Sequence, residues 1–131
     1  MINIILIAIG GAFGSVARHL SFSAITNFTR VNSHNNFPFS TLIVNVVGSM
    51  LAGITYYFMI KYFDVLDAKF KNLVLVGFLG GFTTFSAFSL DFFRLFSAGH
   101  EALAFAYIML SVTLAILSLF FGFYLMKIIF I

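Results

Sequence analysis

Charge is what most limits this chain. Its seven lysines and arginines and four acidic residues leave four uncharged runs, at 1–17, 31–60, 72–90 and 102–126. An α-helix rises ~1.5 Å per residue, so ~20 apolar residues cross the hydrocarbon core of a bilayer. With the polar stretch VNSHNNFP trimmed from the second run, the spacing predicts spans at about 3–22, 39–60, 72–95 and 102–126. These take up nearly all of residues 1–131, which implies an all-α membrane protein with four transmembrane helices per subunit in a single membrane domain. The first run is expected to be a retained helix, because Met1-Ile2-Asn3 lacks the basic residues that open a signal peptide.

Several function classes fall away. The chain has no cysteine, which removes disulfides and thiolate metal sites. Its net charge of +3 is spread singly, whereas a nucleic-acid surface needs a basic cluster, so no nucleic-acid partner is expected. His19, His34 and His100 fall at span edges or in loops, without HExxH spacing or paired carboxylates, and Ser86 and Ser89 have no base nearby. No enzyme is expected. With no carboxylate deep in any predicted span, a proton-coupled carrier is also poorly supported.

Orientation is nearly unsigned. By alternation, Lys61, Lys69, Lys71 and Lys127 share the side of the N-terminus, and Arg18, Arg30 and Arg94 lie opposite. Cytoplasmic loops normally carry the excess of Lys and Arg, and four against three chooses no direction. Either one charge decides, or the chain inserts both ways and pairs antiparallel. Tags in the loops at 34 and 66 would separate the two.

Each span carries polar or small residues that a plain anchor would not need. Gly10, Gly14 and Arg18 share one face of the first span, with Arg18 expected near the membrane edge. Arg18 either snorkels to water, attracts anions at a vestibule or ties down a helix end. Thr41, Asn45 and Ser49 form a polar stripe on the second span. The buried Asn45 amide needs a partner, either another helix or a passing anion. In the third span, GFLGGFTTFSAFSLD at 77–91, adjacent Gly80 and Gly81 predict a loosened backbone whose free carbonyls hold a cation. On a continuous helix Phe78, Phe82, Phe85, Phe88, Phe92, Phe93 and Phe96 fall within an arc of about 140°. Asp91 and Arg94 are expected to form an interfacial ion pair. Tyr107, Ser111, Ala115, Ser118 and Gly122 share a stripe on the fourth span, whose hydroxyls either bond back to their own helix or serve a bound ion.

These motifs closely resemble the Fluc (CrcB) family of fluoride ion channels. The match runs through GGAFGSVARHL at 10–20, FPFSTLIVNVVGSMLAG at 37–53 and GFLGGFTTFSAFSLD at 77–91, and more softly through Tyr107 and Ser111. The resemblance implies an antiparallel, dual-topology homodimer in the bacterial inner membrane. Each subunit would have its third helix broken near the middle, and two fluoride pores would run along the interface. It implies Asn45, Phe85, Phe88, Tyr107, Ser111 and Thr41 as pore residues and Arg18 as the family's vestibule or structural arginine. It also implies a structural sodium ion on the carbonyls of Gly80 and Thr83 from both subunits. Ala87 and Asp91 depart from the family's usual threonine and glutamate. The expected activity is passive fluoride export, giving resistance to fluoride toxicity. The alternatives are a small dual-topology multidrug exporter or a non-transporting scaffold subunit.

Overall fold

The structure, a computed structural model, describes residues 1–32, 37–62 and 68–130. His34 and the loop positions 34 and 66 lie outside the described residues. Four spans among the described residues are long and apolar enough to cross a membrane: Ile2–Thr29, Phe39–Tyr62, Ala68–Ser97 and Glu101–Ile129. The first helix, α1 (Ile2–Asn32), runs 31 residues, well past the predicted limit near residue 22. Nothing stops it there. Residues 15–32 contain neither glycine nor proline, and Ser15 and Thr29 bond back to carbonyls of their own helix. The second helix is α2 (Phe39–Tyr62).

The third span comes in two helical pieces. The piece α3 (68–82) opens with a turn at Ala68–Phe70, widens to π-helical geometry over Lys71–Leu79 and closes with a turn at Gly80–Phe82. Thr83 (φ −79°, ψ 159°) and Thr84 (φ −150°, ψ 118°) are extended. The chain then re-enters a helix, α4 (Phe85–Ser97), where the Thr84 hydroxyl caps the N-terminus by accepting from the Ala87 N–H at 3.2 Å. The loosening expected at Gly80-Gly81 is therefore misplaced. Gly80 is helical (φ −64°, ψ −34°), and the extended residues are two β-branched threonines, a residue type that favours extended backbone. What Gly81 provides is room. A Cβ there would lie 2.6 Å from the Gly11 carbonyl oxygen, whereas one on Gly80 would meet nothing nearer than 3.8 Å.

Gly99 (φ 80°) makes the turn into the last helix, α5 (Glu101–Ile129). Two helix pairs approach backbone to backbone. Along α1 and α3, Cβ atoms on Gly10 and Gly14 would overlap the carbonyl oxygens of Leu73 and Phe78. Along α2 and α5 the arrangement is reciprocal, with Gly53 facing the Leu119 carbonyl and Gly122 facing that of Met50. A small core of Leu42, Phe88, Leu95, Ala104 and Tyr107 joins α2, α4 and α5.

The phenylalanines do not form the single face that a continuous helix predicts. Phe82 and Phe88 are buried and Phe85, Phe93 and Phe96 are exposed, so the line between core and surface runs through the row. Exposed apolar rows also run down α1 (Ile5, Ile9, Phe13, Val16, Leu20) and α5 (Phe105, Met109, Val112, Ile116, Phe120). Such rows require lipid or a further helix against them.

Candidate functional site

The extended step is held from two sides. Asn45 Nδ2 donates to the Thr84 carbonyl at 3.0 Å, and the Thr84 N–H donates to Asn45 Oδ1 at 2.8 Å. This two-way pairing fixes which way the amide points and leaves one of its N–H groups unused by it. On an unbroken helix the Thr84 N–H would have bonded the Gly80 carbonyl, and the Ala87 N–H that of Thr83. Both donors are diverted, to Asn45 and to the Thr84 hydroxyl, so both carbonyls lose their helical donors. Arg18 Nη1 donates to the freed Thr83 carbonyl at 3.2 Å. Arg18 thus sits beside the middle of the third span and not at a membrane edge, because α1 continues beyond it. Of its three sequence-level readings, tying down a helix end is the one that matches this contact.

Beside the step lies a recess of about 250 Å³, lined by Asn45, Ser49, Thr83, Phe85, Phe88 and Ser111 among others. Phe85, 78% exposed, stands at its rim, and the buried Phe88 ring is 5.3 Å away at 39°. Behind Phe88, Tyr107 packs at 5.2 Å and meets Phe37 edge-on at 5.6 Å. The hydroxyls of Tyr107 and Ser111 are buried and hydrogen-bond to nothing among the described residues. Two such groups side by side are costly in a closed core, and they are ready donors for a ligand.

Beyond that layer a second cavity, about 610 Å³, is lined by Thr26, Ser40, Thr41, Asp91, Arg94 and His100 among others. Thr41 Oγ1 donates to Asp91 Oδ2 at 2.5 Å. The expected Asp91–Arg94 pair exists at 3.7 Å, yet the closer partner of the carboxylate is Thr41, so Asp91 turns inward and not to an open interface. The sequence-predicted residues therefore fall into three groups. Asn45, Phe85, Phe88, Ser111 and Thr83 share the recess, and Thr41 lines the larger cavity. Tyr107, Arg18 and Gly80 lie outside both linings. Sequence reasoning missed the inward turn of Asp91 and the pairing of Thr84. The β-branched pair just before a helix start was the available signal for the second.

A polytopic helical membrane protein whose spans frame a small recess bearing Asn45, Ser111 and two phenylalanines, and a second, wider cavity lined by Thr41, Asp91 and Arg94, is the class that this geometry defines. The family model described as CrcB-like protein, Camphor Resistance (CrcB), matches residues 5–123, and the chain belongs to that family. Among its relatives, a protein of Coxiella burnetii (strain CbuK_Q154) is 40% identical over 114 residues, 87% of this chain and 89% of that protein. One from Chelativorans sp. (strain BNC1) is 40% identical over 127 residues, covering 97% and 98%. One from Francisella tularensis subsp. mediasiatica (strain FSC147) is 36% identical over 124 residues, 92% of each chain. All three relatives bear the name fluoride-specific ion channel FluC.

Proposed function

We propose that this chain is a fluoride-selective channel that lets fluoride leave the cell passively and so confers fluoride resistance. The observation that carries the reading is the recess in which Asn45, Phe85, Phe88 and Ser111 converge, in a member of this family. Fluoride is small and strongly hydrated, so a pore must replace its water with donors. The unused Asn45 N–H and the unpartnered Ser111 and Tyr107 hydroxyls are such donors. Aromatic rings are electropositive at their edges, and Phe85 and Phe88 presented edge-on would add weak contacts. Replacing either Phe85 or Phe88 with isoleucine is expected to abolish fluoride efflux from liposomes, followed with a fluoride electrode, while the protein still elutes as the same species. Undiminished efflux would remove the aromatic role.

We further infer an antiparallel, dual-topology homodimer in a bacterial inner membrane. The exposed Phe85 at the edge of an open recess calls for a second wall, which a copy of this chain would supply. Arg18 lies against the third span, so four lysines on one side face two arginines, Arg30 and Arg94, on the other. That bias of two favours an N-terminus in the cytoplasm without compelling it. A structural sodium ion fits the carbonyls of Gly80 and Thr83, both released from helical donors, with Arg18 already taking one lone pair of Thr83. Sodium there would tie two copies of the step together. Detergent gel filtration is expected to give a dimer in sodium that weakens when sodium is replaced by an organic cation, and tags at 34 and 66 are expected to label from both sides. One-sided labelling would end the antiparallel arrangement.

The exporter alternative draws on one observation, the inward-turned Asp91 carboxylate. Asp91 lies six residues before the end of the third span at Ser97, whereas the proton-exchanging carboxylate of such an exporter lies well within the membrane. Fluoride flux without proton-coupled cation flux separates the two.

A further inference from the structure

The larger cavity presents a difficulty for any anion. Its lining includes Asp91, whose side chain is only 16% exposed and is fixed by the Thr41 hydroxyl, so a carboxylate faces any anion that enters this cavity. An uncompensated negative charge there repels a halide, and the low-dielectric surroundings strengthen the repulsion. Arg94 answers it. It lies one turn further along α4, with its guanidinium 3.7 Å from Asp91 Oδ1 and its side chain 69% exposed in the same lining. At that distance the pair is Coulombic and not hydrogen-bonded, so the guanidinium keeps its N–H donors for water or an arriving anion. The amino end of α2, a helix of 24 residues, also opens into this cavity through Pro38–Thr41 and adds partial positive charge.

We propose that Arg94 is an electrostatic positioning residue for conduction: it offsets Asp91 and keeps this mouth of the pathway passable to a small anion. The inference rests on the channel reading above. Fluoride efflux from liposomes is compared for the wild type, Arg94→Gln, Arg94→Lys and the double variant Arg94→Gln/Asp91→Asn. Each is measured at low and high ionic strength, set with an impermeant salt. Charges interact over a Debye length of about 30 Å at 10 mM and about 3 Å at 1 M. Arg94→Gln is therefore expected to be at least ~3-fold slower than the wild type at low salt, with the ratio approaching one at high salt. Arg94→Lys should follow the wild type, and the double variant should lose the low-salt deficit.

A purely structural role for Arg94 would give a loss independent of salt, and that result overturns the proposal. So does a wild-type salt profile in Arg94→Gln, or a deficit that persists in the double variant. If the wild type itself carries no fluoride, the channel reading fails and this inference falls with it. A conducting wild type matched by Arg94→Gln sinks this inference alone.

Discussion

Asn45→Ala is expected to abolish fluoride efflux and to lower the unfolding temperature in detergent, the largest combined effect of any single substitution in the recess. Alanine removes both hydrogen bonds to Thr84 and strands that residue's N–H and C=O at membrane depth, where no water replaces them. A buried polar group left unpaired costs about 1–3 kcal/mol, and here there are two. The extended step would then be free to fall back into helical geometry, drawing Phe85 and Phe88 off the recess. Asn45→Asp sharpens the test. It keeps the acceptor for the Thr84 N–H but sets a carboxylate against the Thr84 carbonyl and puts a negative charge in an anion path. It should therefore fold better than Asn45→Ala in circular-dichroism melts and still fail to conduct. An alanine variant with wild-type melting and flux would show that the step holds itself.

The second large effect is expected at Gly14. A Cβ there would overlap the Phe78 carbonyl oxygen, which belongs to the backbone and cannot swing aside. Gly14→Ala must push α1 away from α3, and overpacking of this kind costs ~1–3 kcal/mol. The displacement would also drag Arg18, one turn along, from the Thr83 carbonyl. Gly11→Ala is the matched control on the same helix, since its Cβ would find its nearest neighbour at 3.9 Å, an ordinary contact. Gly14→Ala should melt several degrees lower and lose flux, and Gly11→Ala should match the wild type or exceed it slightly through helix propensity. Equal behaviour of the two variants would mean that the helices are not in close contact here.

Much of this was legible because membrane helices advertise themselves through charge spacing, and because small and polar residues four apart must share a face. The stripes Gly10–Gly14–Arg18, Thr41–Asn45–Ser49 and Tyr107–Ser111 all turned out to face protein. Pattern conveyed less about depth and partners. Arg18 looked peripheral because nothing local to it marks how far α1 continues. The Thr41–Asp91 bond joins residues 50 apart, which no periodicity can pair. The Gly80-Gly81 pair suggests freedom where Gly81 supplies clearance, and the departure from helix belongs to Thr83 and Thr84: Asn45 takes the Thr84 N–H and carbonyl, and Arg18 takes the Thr83 carbonyl. Local propensity alone does not settle that competition.

The length of α1 reaches beyond the protein itself. Thirty-one residues at ~1.5 Å each make a rod of roughly 46 Å, against a hydrocarbon slab of ~30 Å. Its hydroxyl-bearing end, with Thr26 bonded to Ser40 at 2.8 Å, forms one wall of the wider cavity. Upright, that wall stands among phospholipid headgroups; leaning, it sinks toward the acyl chains. Bilayer thickness would thereby set how deep that end of α1, and the cavity it walls, sits in the membrane.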